Sequence, residues 1–120
     1  MTRTRRSETP PYRTKDGSEI RELMHPSRHG NVAQSLAEAI VPAACCTHWH
    51  RHNTSEELYH ITAGQGRMYL GEQRFDVAPG DTVLIPPGTA HKIEALGNTA
   101  LVLLCCCSPA YDHEDTELLD

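Results

Sequence analysis

Glycine and proline recur so closely after residue 40 that long helices do not fit in that part of the chain. These residues are Pro42, Gly64, Gly66, Gly71, Pro79, Gly80, Pro86, Pro87, Gly88 and Gly97. The stretches between them are rich in Val, Ile, Leu, Thr and Tyr, which favour strands. The pattern predicts strands at about residues 45–52, 57–63, 67–70, 73–77, 82–85, 91–95 and 100–107. Many short strands predict an all-β fold, either closed or sandwiched.

Residues 33–41 show a different pattern. Apolar side chains recur there with the i, i+3, i+4, i+7, i+8 spacing of one helix face, at Ala33, Leu36, Ala37, Ile40 and Val41. Taken alone, this spacing predicts a helix.

The chain has 120 residues, which is about one domain. Its ends differ in charge from its middle, since residues 1–28 hold seven Lys or Arg and residues 111–120 hold five acids and no base. We expect a flexible N-terminal arm over 1–18, a core domain over 19–110 and an acidic tail over 111–120. Both ends resemble arms rather than separate domains.

Charge and hydropathy argue against two classes of partner. Residues 29–110 hold four Lys or Arg against seven acids, so no basic face for nucleic acid is expected. No apolar stretch is long enough to span a membrane, and no hydrophobic signal core follows the N-terminal arginines, so we expect neither a membrane partner nor export from the cytoplasm. The odd five cysteines, Cys45, Cys46, Cys105, Cys106 and Cys107, form a poor disulfide framework and predict reduced thiols.

Three histidines alternate with other residues at His48, His50 and His52. On a strand this spacing sends all three imidazoles to one face, where they can converge on one ion. Glu57 supplies a carboxylate nearby. A lone His-x-His pair is more often polar surface or a hydrogen-bonded core pair, so the spacing to further residues has to decide between these interpretations.

That spacing forms two strings. The first reads His50-x-His52, four residues, Glu57, six residues, Gly64, and the second reads Gly80, five residues, Pro86-x-Gly88, two residues, His91. Together they resemble the paired signature motifs of the cupin superfamily. The chain departs from those motifs where an Asn often follows the second-motif histidine by four residues, since Ala95 stands there.

The resemblance implies a double-stranded β-helix, or jelly-roll barrel, with residues 33–41 as a strand. It also implies one divalent metal ion held by His50, His52, Glu57 and His91. Imidazole and carboxylate donors suit iron, manganese, nickel or zinc, with copper also possible. A homodimer is expected from the family and from the frequency of two-fold oligomers.

Tyr59 is the best candidate for a catalytic group, because it lies two residues beyond Glu57 and shares its inward face. Packing alone is the alternative role for Tyr59. His48 is expected to contact a substrate or a metal ligand rather than the ion itself. Glu56 and His60 should face away from the site.

Three functions fit these features. The first is a metal-dependent oxygenase, isomerase or lyase acting on a small polar or carbonyl-bearing molecule. The second is a non-catalytic barrel that binds a sugar or an organic acid. The third is a metal-handling protein, suggested by the cysteine runs.

Overall fold

The computed structural model describes residues 3–120, and almost all of its regular structure is β-strand. The strands are β1 (Tyr12–Arg13), β2 (Glu19–Met24), β3 (Ser35–Val41), β4 (His50–His52), β5 (Glu56–Ala63), β6 (Gln65–Leu70), β7 (Gln73–Val77), β8 (Thr82–Ile85), β9 (His91–Leu96), β10 (Leu101–Ser108) and β11 (Thr116–Leu118). One α-helical turn, α1 (Pro26–His29), and 3₁₀ turns at Arg6–Glu8 and His113–Asp115 complete the structure. No helix in this part of the chain is long and apolar enough to span a membrane.

The strands form two antiparallel sheets. The larger has the order β1-β2-β3-β10-β5-β8, and the smaller has the order β11-β4-β9-β6-β7. Both sheets place apolar side chains between them, and the largest fully buried ones are Ile61, Met68, Ile85, Ile93, Leu101 and Leu103. This arrangement confirms the all-β jelly-roll expectation.

The prediction of a helix from the apolar spacing of residues 33–41 is wrong. The segment forms β3, in which Ser35, Ala37, Ala39 and Val41 face inward while the positions between them are more exposed. Three of the four inward positions hold Ser or Ala. The alternation of buried and exposed residues is therefore not visible as an alternation of large apolar and polar side chains. Burial against β2 and β10 decides the structure here.

The strand predicted over residues 45–52 is shorter than expected. Only His50–His52 forms a continuous strand, and Cys46 makes an isolated bridge to Glu94. Ala44 has a φ of 61°, a left-handed conformation that interrupts an extended chain. The segment before β4 is therefore a turn followed by irregular chain.

The tight connection between β5 and β6 depends on Gly64. Its φ is +82°, and a Cβ atom there would collide with the carbonyl oxygen of Ala100. Only glycine combines this backbone conformation with such a close approach of another chain segment. This connection carries the chain from the larger sheet, which contains β5, to the smaller one, which contains β6.

Both ends of the chain pair with the barrel. Tyr12 and Arg13 of β1 pair with β2, and β11 pairs with β4, so that Thr116 lies opposite His52. The arm residues of β1 therefore extend the larger sheet, whereas the tail residues of β11 lie against the strand that carries His50 and His52.

Candidate metal centre

Three imidazoles meet inside the barrel. His50 and His52 are the inward positions of β4, and His91 begins β9 directly opposite His50. One ring nitrogen from each lies within 4.8 Å of the others, and the three residues are 2%, 5% and 0% exposed. The pairing of β4 with β9 thus brings the three histidines together as a buried cluster of ring nitrogens.

Backbone carbonyls orient two of these rings. His50 Nδ1 lies 2.8 Å from the carbonyl oxygen of His48, and His91 Nδ1 lies 2.9 Å from that of Thr89. A carbonyl oxygen only accepts hydrogen bonds, so each Nδ1 must be the donor. The Nε2 atom of each neutral ring is left with a free lone pair, as a metal ligand requires.

A hydroxyl group orients the third ring. His52 Nδ1 lies 3.1 Å from Thr116 Oγ1, and that hydroxyl donates to the carbonyl of Asp112 at 3.0 Å. Because its hydrogen is committed to Asp112, the hydroxyl accepts from Nδ1. The neutral His52 ring therefore also presents a lone pair at Nε2.

Glu57 completes the cluster from the opposite sheet. It is 5% exposed, and its Oε1 lies 3.2 Å from His52 Nε2 and 3.5 Å from His91 Nε2. The thiol of Cys107 donates to its other oxygen, Oε2, at 3.2 Å. Glu57 thus faces the imidazoles through one oxygen and is anchored through the other.

The donor set fits a divalent transition-metal ion. Glu57 Oε1 and His91 Nε2 are buried, yet neither makes a hydrogen bond of acceptable geometry within the described chain. Buried polar atoms are normally paired, and an ion held between these two adjacent unpaired atoms would satisfy both. Three imidazole nitrogens and one carboxylate suit zinc, iron, nickel or manganese, and they do not select one of these.

The ionisable groups of the cluster differ in their proton affinity. Burial, and next the charge of His91, lower the pKa of His50 from 6.5 to about 4. Burial alone would lower the pKa of His52, but the Glu57 carboxylate raises it above its usual range. Burial opposes ionisation of Glu57 as well, yet the neighbouring imidazoles hold its pKa below the usual range. In the metal-free chain, His52 and Glu57 therefore each favour the charged form of the other.

Tyr59 lies beside the cluster, as expected for the inward face of β5. It is 4% exposed, and its ring centroid is 6.0 Å from that of His91. Burial and the charge of Glu57 raise the pKa of its phenol well above the usual value. The side chain is therefore a phenol that keeps its proton at neutral pH. Glu56 is exposed, and His60 bonds Thr82 Oγ1 at 2.8 Å on the other face.

The expected position of the His48 imidazole needs correction. Its side chain is 59% exposed and lies 4.0 Å from a carboxylate oxygen of Asp120. The alternation that carries His50 and His52 inward begins only at His50, so it does not extend back to His48. His48 contributes to the centre only through its main-chain carbonyl.

The cysteines are not brought together as a ligand set. Cys45 and Cys46 are exposed, whereas Cys107 contacts Glu57 and Cys105 lies near Tyr59 across β10 and β5. Burial raises the pKa of both Cys105 and Cys107, so these thiols keep their protons. A metal ligand has to be a thiolate, and this geometry therefore gives little support to metal handling by the cysteine runs.

Asp16 was missed from the sequence. Its Oδ2 lies 3.6 Å from His50 Nε2, and its Oδ1 accepts hydrogen bonds from Thr14 Oγ1 and from the backbone and hydroxyl of Ser18. Thr116 and Tyr111 were missed too, the latter with its ring 5.9 Å from that of His52. The available signal was the Thr-x-Asp-Gly-Ser turn at 14–18, but a local turn does not reveal which strand it will lie against.

A narrow cavity of about 40 Å³ opens beside the cluster. Its lining combines the imidazoles of His50 and His52 with side chains from β2, β3, β5 and β10. The cluster therefore borders a narrow cavity that is lined mainly by the larger sheet.

Comparisons with known proteins agree with this architecture. Residues 38–107 match the family described as the cupin domain. An uncharacterised protein of Methanocaldococcus jannaschii is 57% identical over 110 residues, which cover 92% of this chain and 88% of that protein. The oxalate-binding protein of Thermotoga maritima is 30% identical over 84 residues, 70% of this chain and 65% of its own. The crystal structure of a predicted oxalate decarboxylase from Thermotoga maritima has a TM-score of 0.77 at 26% identity, covering 88% of this chain and 96% of that one.

Proposed function

Because this chain belongs to the cupin family and gathers three histidines and a glutamate in its barrel, we propose that it is a metal-dependent enzyme for a small polar molecule. One observation carries the proposal: each histidine commits Nδ1 to an acceptor and leaves Nε2 for an ion. Such anchoring prepares metal ligands, and a merely polar interior does not require it.

The proposed ion is held by His50, His52, Glu57 and His91. A divalent ion with four protein ligands supplies a Lewis acid that keeps positions open for a substrate oxygen when it prefers five or six ligands. Iron, manganese, nickel and zinc all remain candidates, with copper also compatible. The reaction would be of the oxygenase, isomerase or lyase type.

The surrounding residues suit a role in positioning and proton transfer. The Tyr59 phenol keeps its proton, so it would donate a hydrogen bond or a proton to a substrate oxygen near His91. His50, His52 and Tyr59 are almost fully buried beside the cavity, and a surrounding of low polarity strengthens each polar contact made there.

A non-catalytic binding barrel is the second candidate. It is supported by the 30% identity to a protein named for oxalate binding rather than for catalysis. In that case the ion would orient a ligand, and Tyr59 would only hold it.

Tyr59→Phe separates the two candidates. The metal-loaded chain is incubated with a panel of small hydroxy, keto and carboxylic acids, and both binding and product are followed by NMR. Catalysis predicts that Tyr59→Phe keeps the metal and loses at least ten-fold in turnover, whereas His60→Ala, on the outward face of the same strand, behaves as wild type. Binding without product in the wild type would favour the binding barrel, and a wild type that holds no metal would overturn both.

A further inference from the structure

Glu22 is a buried carboxylate with one unused oxygen. It faces inward from β2, as Ile20 does, and is 8% exposed. Its Oε2 accepts a hydrogen bond from the Tyr12 hydroxyl at 2.8 Å, but its Oε1 is buried and has no hydrogen-bond partner within residues 3–120. Leaving a buried carboxylate oxygen without a donor is costly. A bound molecule with a hydrogen-bond donor would remove that cost.

Glu22 belongs to the same cavity as the histidine cluster. Across the larger sheet it lies opposite Ala37, which lies opposite Cys105, which lies opposite Tyr59. Neighbouring strands are about 4.8 Å apart, so the backbones of Glu22 and Tyr59 are separated by roughly 14 Å. The short side chains of Ala37 and Cys105 leave space between the two ends.

The charges around this cavity have one sign. Its lining includes the carboxylates of Asp16, Glu22 and Glu57, and no Lys or Arg side chain of the described residues lines it. An ion at the cluster would compensate Glu57 and the nearby Asp16, but it would lie at the opposite end from Glu22. A ligand carboxylate placed next to Glu22 inside this cavity would meet a like charge, because Arg28 faces Glu22 only from the separate cavity beside α1.

We infer that Glu22 determines specificity, with its Oε1 accepting a hydrogen bond from a hydroxyl or ammonium group of a small molecule whose other end faces the histidine cluster. This inference rests on the proposed function, because it assumes an ion that binds that other end. The ligand class is a short hydroxy acid or amino acid. A dicarboxylate of the same length is disfavoured, since its second carboxylate would approach Glu22.

The test uses three probes with the same three-carbon chain and the same carboxylate head: β-alanine, 3-hydroxypropionate and malonate. Their binding to the metal-loaded protein is measured by calorimetry, together with the metal content of each sample. The wild type should bind β-alanine and 3-hydroxypropionate about ten-fold or more tightly than malonate. Glu22→Gln should weaken β-alanine about ten-fold and strengthen malonate, because an amide can donate to a carboxylate.

The control is Glu19→Gln, which makes the same charge change on the outward face of β2. The Glu19→Gln variant should bind the three probes in the same order of affinity as the wild type. If Glu22→Gln keeps the wild-type order at full metal content, or if the metal-loaded wild type prefers malonate or binds none of the probes, the inference is wrong. A wild type that holds no metal overturns the proposed function instead, so the two failures are distinguishable.

Discussion

At the scale of single residues, the centre depends on partners that fix the histidines rather than on the histidines alone. The carbonyls of His48 and Thr89 belong to the chain next to each ligand, so they follow from the local backbone. Thr116 is different, because it reaches His52 from 64 residues away in the sequence. Local spacing could predict that the three histidines meet, but it could not predict this contact to Thr116.

Thr116→Val should weaken metal binding without unfolding the chain. Valine keeps the shape of the side chain but leaves His52 Nδ1 without an acceptor, and loss of such a support typically costs 10-fold to 100-fold in metal affinity. Competition with a coloured chelator measures the affinity. Thr82→Val is the matched control, since Thr82 bonds His60 on the outward face. An affinity equal to that of the wild type would show that the Thr116 hydroxyl does not support the ligand.

The metal-free protein should show two histidines whose pKa values are shifted in opposite directions from 6.5. His50 should titrate near pH 4, and His52 should titrate above its ordinary value of 6.5. The stability that neutral His50 contributes is then fully present above pH 6.5 and is lost as the pH falls toward 4, because the unfolded chain takes up that proton first. The contribution of His52 has the opposite sign: it is present below pH 6.5 and is lost as the pH rises through its folded pKa.

Histidine side-chain NMR of the metal-free chain, with His50→Gln and His52→Gln to assign the signals, measures both values. A His50 that titrates at or above 6.5 would contradict the burial and charge described for it.

At the scale of secondary structure, the positions of glycine and proline predicted where most strands after residue 56 begin and end, to within about two residues. It failed where burial rather than local pattern decides. Ser35 and Ala37 are small but face inward, so β3 resembled a helix, and the irregular chain around Ala44 shortened β4. The resemblance to a family corrected the first error, whereas the second needed the structure.

Ile61→Ala should destabilise the barrel by about 2–5 kcal/mol, because its fully buried side chain lies on a strand paired on both sides. Leu58→Ala on the same strand removes a side chain that is 40% exposed and should cost less than about 1 kcal/mol. Unfolding in urea compares the two variants in the metal-free state. Equal losses would mean that the inward and outward faces of β5 are assigned incorrectly.

At the scale of the whole molecule, segments near both ends of the chain contact the histidine cluster, which the middle of the chain provides. Asp16 and Thr116 lie in segments that charge and composition marked as arms, yet both contact histidines of the cluster. The sequence could not show this, because an arm and an edge strand have similar polar composition. The convergence of His50, His52, Glu57 and His91, by contrast, could be predicted from their spacing in the two motifs.

The chain is also proposed to form a homodimer, on the basis of the family resemblance and the frequency of two-fold oligomers. Leu58 and Leu84 pair across β5 and β8 on the outer face of the larger sheet and are 40% and 52% exposed, so this face is the one we would substitute first. Light scattering should give a molecular mass twice that of one chain. The Leu84→Glu variant should give a mass closer to that of one chain. A wild-type mass equal to one chain would contradict the dimer.

Elemental analysis of the purified protein tests the central claim most directly. The wild type, the His50→Ala, Glu57→Ala double variant and the His60→Ala control are prepared identically, and each transition metal is counted per chain. We predict close to one equivalent in the wild type and in His60→Ala, and almost none in the double variant at unchanged circular dichroism. No metal in the wild type after incubation with iron, manganese, nickel, copper and zinc, or equal metal in the double variant, would contradict the centre described here.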